Sequence, residues 1–554
     1  MHNTKNRFSH PILHENFTFK RRKNSRKKCI IISLIAIILS FCLILSLCLC
    51  LSIKNQEDDV IPPPFEGKGT FSDPYIIANC TQFAKLSQIS EEYLSASYKL
   101  SSHINCVSIS PFPTIRSPFS GSLNGNKKSI KGLLLTTNIT GNETQPSSIF
   151  SSINSAHIFN LSLQFTARGS HIGPLAYTAS NSKLENIALS GSLFPSKASA
   201  SSQELGSNKT EEEVRREEDS MYTGGMIGYG EEVEVRKTRV TFLSIQTDDK
   251  YEGEVGGLFG RARHVNLSVG SVYIQMEKQI SSNTVGGLVG RGEHVFIHMF
   301  YVRGTVLGNG EVGGYIAHAF QSFLSANYFY GTVTGGSRVG GIIGISDQVV
   351  LYNDHAFLNV TAYEQDAGGL IGQMVGGRVE SCSVAGDIRS NALYNQIGGL
   401  VGSLDGAVIN GSSSIAKVSG SGSVGGLVGS TSINSSVSPC YISDCLAQGD
   451  VEARKDTKSI AGGLIGTNQI QILYSYSTGK VSGDTIGGLI GQGKKQKVKH
   501  CFWDIESSRS NESKGGIGKR TEEMKNNDTY LSWDKTKWIF LEDDYPRLVY
   551  PSSR

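Results

Sequence analysis

The chain is short of charge and of proline. Only 18% of its 554 residues are Asp, Glu, Lys or Arg, and there are 14 prolines and three tryptophans. With 63 glycines but no Gly-X-Y period, collagen is excluded, and an apolar content of 38% is too high for a disordered chain. A basic surface is missing as well. The net charge of +4 comes from residues 1–28, which carry nine Lys/Arg and one acid, whereas residues 54–554 carry 44 Lys/Arg and 48 acids. A weakly acidic body argues against nucleic acid as a partner.

One long hydrophobic run is present. The 25 residues from Cys29 to Ile53 contain no charge. As a helix at ~1.5 Å per residue they would span about 37 Å, enough for a bilayer core of ~30 Å. Lys20, Arg21, Arg22, Lys23, Arg26, Lys27 and Lys28 precede the run; Lys54 and then Glu57, Asp58 and Asp59 follow it. The positive-inside rule places the N-terminus in the cytosol. A cleaved signal peptide would have an apolar core of ~7–15 residues ending in small residues, unlike this run. The expectation is a retained signal-anchor: a single-pass protein of the plasma membrane, with an extracellular C-terminal body.

Six cysteines lie beyond the run: Cys80, Cys106, Cys382, Cys440, Cys445 and Cys501. An even count in an oxidising compartment allows disulfides, with Cys80–Cys106 and Cys440–Cys445 as candidate pairs among several pairings. Asn-x-Ser/Thr occurs at Asn79, Asn138, Asn142, Asn160, Asn208, Asn266, Asn359, Asn410, Asn434, Asn511 and Asn527. Together these sequons suit a glycosylated surface protein.

The dominant feature is a glycine repeat. Gly224-Gly-Met-Ile-Gly228, Gly256-Gly-Leu-Phe-Gly260 and Gly286-Gly-Leu-Val-Gly290 begin a series of ten copies ending at Gly487-Gly-Leu-Ile-Gly491. Their spacings are 32, 30, 27, 27, 28, 30, 27, 37 and 25 residues. A period near 28 means a solenoid or array, and its short alternating runs show no helical stripe. Three short strands and their turns fill one period, which predicts a parallel β-helix with coils ~4.8 Å apart. A β-propeller is disfavoured because its blades need ~40–50 residues. The expected organisation is a basic tail (1–28), the anchor (29–53), a Pro-containing spacer (54–66), an N-terminal cap and first coils (67–135), and degenerate coils (136–196). A charged loop (197–220), the repeat β-helix (221–493) and a C-terminal cap (494–554) follow.

The Gly-Gly-Leu-Val/Ile-Gly copies resemble the GLUG motif of adhesin-like surface proteins, a motif also found beside bacterial IgA-specific metallopeptidases. Gly67-Lys-Gly-Thr-Phe-Ser-Asp-Pro-Tyr75 resembles the entry segment of such proteins, and Phe119-Ser-Gly-Ser-Leu-Asn-Gly125 their first coils. Cys501-Phe-Trp-Asp504, Trp538 and Tyr545-Pro-Arg-Leu548 resemble their terminal cap. The resemblance spans residues 66–550. It implies a right-handed β-helix and a surface role, and it implies no ligand.

Chemical motifs are sparse. The His-Glu-x-x-His signature of the GLUG-bearing peptidases is absent. His294 and His298 on one strand would sit ~13 Å apart, too far for a single zinc. Gly308-x-Gly-x-x-Gly313 and Gly420-x-Gly-x-x-Gly425 lie inside the repeat and open no helix, so they carry no nucleotide site. No metal or cofactor is expected. Acids do recur seven residues after the repeat start, at Glu231, Glu293, Asp347 and Asp405, on alternate coils. At ~9.6 Å between successive acids, their spacing is near that of the carboxyl pair in inverting glycosidases, but an exposed row avoiding like charges on adjacent coils explains it as well. Tyr301 and Tyr328 share a register, with Phe300, Phe329 and Tyr330 beside them. They would form either a stabilising stack or a strip that binds sugars.

Three readings follow. The first is a non-enzymatic, adhesin-like surface glycoprotein that displays its β-helix to glycans, matrix or other cells, with Tyr301, Tyr328 and Tyr330 as the ligand surface. The second is a β-helix carbohydrate-active enzyme, hydrolase or lyase, using Glu293, Asp347 and Asp405. The third is a structural coat protein.

Overall fold

Each period of the repeat forms strands on three faces, three strands in the coils that begin at Tyr222, Glu254 and Thr284 and four or five in those from Glu311 on, and each strand turns residues inward. The computed structural model describes residues 65–140, 143–197, 221–247, 251–276, 280–282, 284–433, 440–455, 457–494 and 497–551. The basic tail, the signal-anchor run, the spacer as far as Pro64 and residues 198–220 of the charged loop lie outside them. Among the described residues no helix is long and apolar enough to cross a membrane.

One coil shows the plan. Glu254–Gly256 is the first strand, Phe259–Arg263 the second and Asn266–Met276 the third. Val255, Leu258, Phe259, Ala262, Val265, Leu267, Val272, Ile274 and Met276 of this coil are at most 1% exposed. Equivalent strands of successive coils pair in parallel, as Val255 with Val285, Phe259 with Val289 and Leu267 with Ile297. The result is a 10-stranded glycine face, a 12-stranded middle face and a 27-stranded long face. The fold is an all-β parallel solenoid of the right-handed type, of about 13 turns with ~28-residue coils.

The three glycines of the motif meet three different obstacles. A Cβ on the first, Gly256, would lie 1.9 Å from the carbonyl oxygen of Phe259 across the bend. A Cβ on the second, Gly257, would lie 2.1 Å from the carbonyl oxygen of Gly287, its counterpart on the next coil. A Cβ on the third, Gly260, would lie 2.8 Å from the Thr223 backbone nitrogen. The close approach lets the bends hydrogen-bond along the axis. Leu258 N–H donates to Leu288 O at 2.8 Å, Leu288 to Tyr315 O at 2.9 Å and Leu370 to Leu400 O at 2.8 Å.

The corner after the middle strand takes a left-handed residue: Glu232, His264, His294, Gln321 and Gln348, with φ between 44° and 56°. A second left-handed corner breaks the long face at Val269, Met299, Ala326, Asn353 and Ser381. From Asn327 onward the residue after this corner turns inward and caps the preceding coil. Phe300 N–H donates to Asn327 Oδ1 (2.9 Å), Asn327 N–H to Asp354 Oδ1 (2.9 Å), Asp354 N–H to Cys382 Sγ (3.4 Å) and Cys382 N–H to Ser412 Oγ (3.1 Å).

Both ends are plugged. At the N-terminal end the short helix Cys80–Lys85 is tied by the Cys80–Cys106 disulfide. At the other end the Trp503 indole takes the place of a further coil, since a Cβ on Gly488 would lie 2.0 Å from it. The C-terminal segment then crosses the long face. Trp538 Nε1 donates to Asp444 Oδ1 (3.2 Å), Tyr476 Oη to Pro546 O (2.8 Å) and Tyr545 Oη to Asp504 Oδ2 (2.6 Å). Leu446, Tyr476, Phe502, Met524, Tyr530, Trp533, Trp538 and Leu548 form a separate apolar cluster beneath this segment.

Gly287→Ala places its Cβ 2.0 Å from the Gly314 carbonyl oxygen. It should cost ~3 kcal/mol in urea denaturation. Gly292→Ala is the control. Its Cβ would meet side-chain methyls at 3.0 Å or more, and its neighbours in register are Ala262 and Ala319. It should cost less than ~1 kcal/mol. Val269, β-branched, exposed and at φ 54°, pays for the opposite fault. Val269→Asn should add about 1 kcal/mol in the same assay.

Candidate functional surface

The acid row is a feature of the middle face. Glu231, Arg263, Glu293, Phe320, Asp347, Val375 and Asp405 each end a strand, and each stands opposite the next in register. Arg263 lies between two of the acids, 3.3 Å from Glu231 and 3.7 Å from Glu293. Asp405 accepts a hydrogen bond from Ser432 Oγ at 2.7 Å. Glu293, Asp347 and Asp405 therefore stand in line along one edge, two coils apart, with Phe320 and Val375 between them. A carboxyl pair working on one bond must face it from two sides. This row does not.

A second acid row has a stronger structural role. Glu254 is held by Arg261 Nε (2.7 Å) and Arg291 (3.0 Å), and Glu311 by His318 (3.4 Å) and Arg338 (3.2 Å). Asp366 accepts from Ser403 Oγ (2.8 Å) and Gln396 N–H (3.1 Å). These pairs clamp the bend and tie one coil to the next. Their signal in the sequence is an acid two residues before the first glycine and, for Glu254 and Glu311, a basic residue or histidine seven beyond that acid.

The tyrosines lie on the long face, which is where exposed aromatics gather. Tyr301 and Tyr328 are in register, but their rings stack elsewhere. Tyr301 leans on Tyr330 (5.3 Å), which stacks on Phe357 (4.9 Å, 8°), and Tyr328 packs on His355 (5.1 Å). Phe300 and Phe329 are core residues, 1% and 0% exposed, because they fall on the inward phase of the strand. Tyr273 and Phe242 continue the surface strip upstream, edge to face at 5.7 Å, with the Arg303 guanidinium 5.9 Å from the Tyr273 ring. Phe242, Tyr273, Tyr301 and Phe357 are 39–44% exposed. The C-terminal segment reaches the edge of this strip at Tyr550. Tyr550 touches His355 (5.7 Å), and its hydroxyl donates to Ser413 Oγ (2.6 Å).

Histidine and cysteine are accounted for structurally. His294 occupies a left-handed corner rather than the strand phase of His298, and stacks on His264 (4.6 Å, 6°). His298 Nδ1 bonds Ser325 Oγ (2.8 Å). No group of three or more metal-binding side chains occurs among the described residues. The pairing Cys440–Cys445 does not form, and both thiols are free. Cys445 turns inward at the corner, its thiol directed to Ser443 O (3.1 Å), while the strand Tyr441–Ser443 separates it from Cys440. Cys382 and Cys501 are also free and buried. Burial pushes the Cys501 thiol up to about 12 and raises those of Cys382 and Cys445 as well.

Of the sequon asparagines, Asn142, Asn208 and Asn434 lie outside the described residues. Asn79, Asn138, Asn359, Asn511 and Asn527 are exposed, and Asn160, Asn266 and Asn410 are half-buried. Asn359 stands two residues from Phe357 on the same strand of the long face.

Desolvation lifts the fully buried Asp354 to about 7, against two hydrogen bonds from Asn327 that pull it down. Its Oδ2 has no partner. This carboxyl lies inside the solenoid, away from any surface on which a substrate would act. The folded protein therefore holds a proton that the unfolded chain releases near pH 4, and stability falls as pH rises from about 4 to about 7. Asp354→Asn should flatten that part of the stability–pH curve and raise the melting temperature at pH 8, read by thermal denaturation across pH 4–8.

Comparison with known proteins adds little. No family model matches the chain, and no curated protein matches it. A crystal structure described as that of a "putative immunoglobulin A1 protease" from Bacteroides ovatus aligns over 87% of this chain and 94% of that one. The identity is 14% and the TM-score 0.23, a likeness that carries no argument here. The parallel β-helix rests on the strand pairing described above.

Proposed function

We propose that the protein is a non-enzymatic, adhesin-like surface glycoprotein whose long β-helix face binds glycans. The observation that carries this reading is the uncovered aromatic strip from Phe242 to Phe357, on the face that the C-terminal segment covers farther along. Contiguous exposed aromatics of this kind mark binding surfaces. The strip presents ring edges, tyrosine hydroxyls and the Arg303 guanidinium side by side, a mixture suited to the apolar C–H faces and hydroxyls of sugars. The resemblance to the GLUG motif, the sequons and the anchor-like run at residues 29–53 support display at the plasma membrane. The in-line arrangement of Glu293, Asp347 and Asp405 gives the enzymatic reading no comparable support.

The test is binding of the purified full chain to panels of glycans, matrix proteins and cells. Saturable glycan binding, weakened at least roughly tenfold by Tyr273→Ser with Tyr301→Ser, is the expected outcome. Binding that is saturable but indifferent to both substitutions would move the site off the strip. No glycan binding would sink the reading.

A further inference from the structure

An open cleft of about 1050 Å³ lies on the long face upstream of the aromatic strip and runs into it at Phe242. It crosses the strands Ser122–Thr136, His157–Gly169, Lys183–Pro195 and Glu234–Ile245. Its lining has no acidic residue, and it includes Lys131, Arg168 and His103. The strand register breaks at two places along the cleft. Lys131 lies where the first of these strands inserts a residue between Ile130 and Leu133, and Phe242 where the fourth inserts one between Val240 and Leu243, opposite Ser190. Bulges of this kind re-aim side chains and bend a sheet, and here they make a concavity on a face that is otherwise regular.

The polar groups along the cleft are cations and hydrogen-bond donors. Lys131 and Arg168 are exposed. The Arg168 guanidinium is steadied 4.6 Å from the Phe194 ring. His103 Nδ1 accepts the Ser129 backbone N–H at 3.1 Å and lies 2.9 Å from Ser129 Oγ, which leaves Nε2 as the donor. Asn105 uses its Oδ1 on Val107 N–H (3.2 Å), which leaves its NH₂ to donate. Glu185, on the same strand as Ser190, is engaged by Lys183 (3.0 Å) and His157 (3.4 Å), which hold its carboxyl below the usual range.

We infer that this cleft is a subsite for an acidic sugar, carboxylated or sulfated, within a polysaccharide that continues along the aromatic strip. Lys131 pairs with one anionic group, to which Asn105, beside it in register, and His103 donate; Arg168, four residues (~13 Å) farther along the neighbouring strand, meets a second anionic group, and Phe242 packs against the ring that follows. The inference rests on the glycan-binding reading above and names the ligand class.

The experiment compares the full chain with Lys131→Gln/Arg168→Gln by biolayer interferometry on four probes: polygalacturonate, heparin, neutral cellohexaose and polyglutamate. Both substituted side chains are exposed, so the fold should survive, and an unchanged melting curve checks this. The expected result is saturable binding of polygalacturonate, heparin or both, falling roughly 10- to 100-fold in the double variant. Cellohexaose binding should be unchanged by it, and Lys131→Arg should keep the affinity. Which anionic probe binds tells carboxylate from sulfate. Cellohexaose binding without anionic binding, or anionic binding that ignores the double variant, would overturn the acidic-sugar subsite and leave the glycan-binding reading standing. Equal binding of polyglutamate would overturn the saccharide assignment. Failure of both neutral and anionic glycans would remove the two readings together.

Discussion

The structure depends on one contact, the approach of a carbonyl oxygen to the second glycine of the preceding coil. Where a Cβ would stand on Gly257, Gly314 or Gly341 there is instead the carbonyl oxygen of Gly287, Gly341 or Gly369, 2.0–2.1 Å from that position. No other residue tolerates such an approach without moving the backbone. The contact puts every bend directly over the next and lets Leu N–H groups bond down the axis. Once the bends are aligned, the other two corners follow, because each strand is short and each corner takes a single left-handed residue. From Gly225 to Gly463 the fold is thus set by a steric requirement at one position per coil, and the apolar interior fills in around it.

Alignment of the coils turns sequence positions into rows, and the rows explain the isolated polar and sulfur-containing residues of the interior. Asn327, Asp354, Cys382, Ser412, Cys445, Ser475 and Cys501 occupy one inward corner position on successive coils, and along this row the side chain of one coil caps a backbone N–H of the coil before it in most cases. Cysteine recurs here because a small group able to interact weakly with a backbone N–H or C=O fits the position. Ser412 separates Cys382 from Cys445, and Ser475 separates Cys445 from Cys501. At two coils, ~9.6 Å, the thiols are beyond disulfide reach. The cysteines are ladder residues, with thiols held protonated by burial.

The glycine period, the β-helix and the position of each bend were legible in the sequence because a solenoid repeats its steric demand and the repeat is countable. The register of Glu293, Asp347 and Tyr301 with Tyr328 was legible for the same reason. Ring direction was not. Tyr301 leans diagonally to Tyr330, whose partner in register is Arg303, and a count of residues does not give the tilt of a ring. His294 was misplaced on a strand because left-handed corners fall on residues as different as Glu232, His264 and Gln321. The cleft was illegible too. It depends on bulges at Lys131 and Phe242, and no residue pattern in either strand marks the inserted residue.

A regular solenoid has little means of making a pocket. Its faces are flat, its side chains recur at ~4.8 Å, and any group that it presents it tends to present in a line. Recognition can then come from the line itself or from a place where the line breaks. The middle face offers a line of acids, and arginine and serine partners engage much of it. The long face offers both. Beneath Tyr530, Trp533 and Trp538 its outward row is used by the protein's own C-terminal segment, which shows that the row can hold an extended chain by aromatic packing. Upstream of His355 the same face is open, and still farther upstream it is bent by bulges and lined with cations. A glycan bound as proposed would lie along the axis and meet the cationic end and the aromatic run in succession. That polarity would give an otherwise repetitive surface a defined direction for binding.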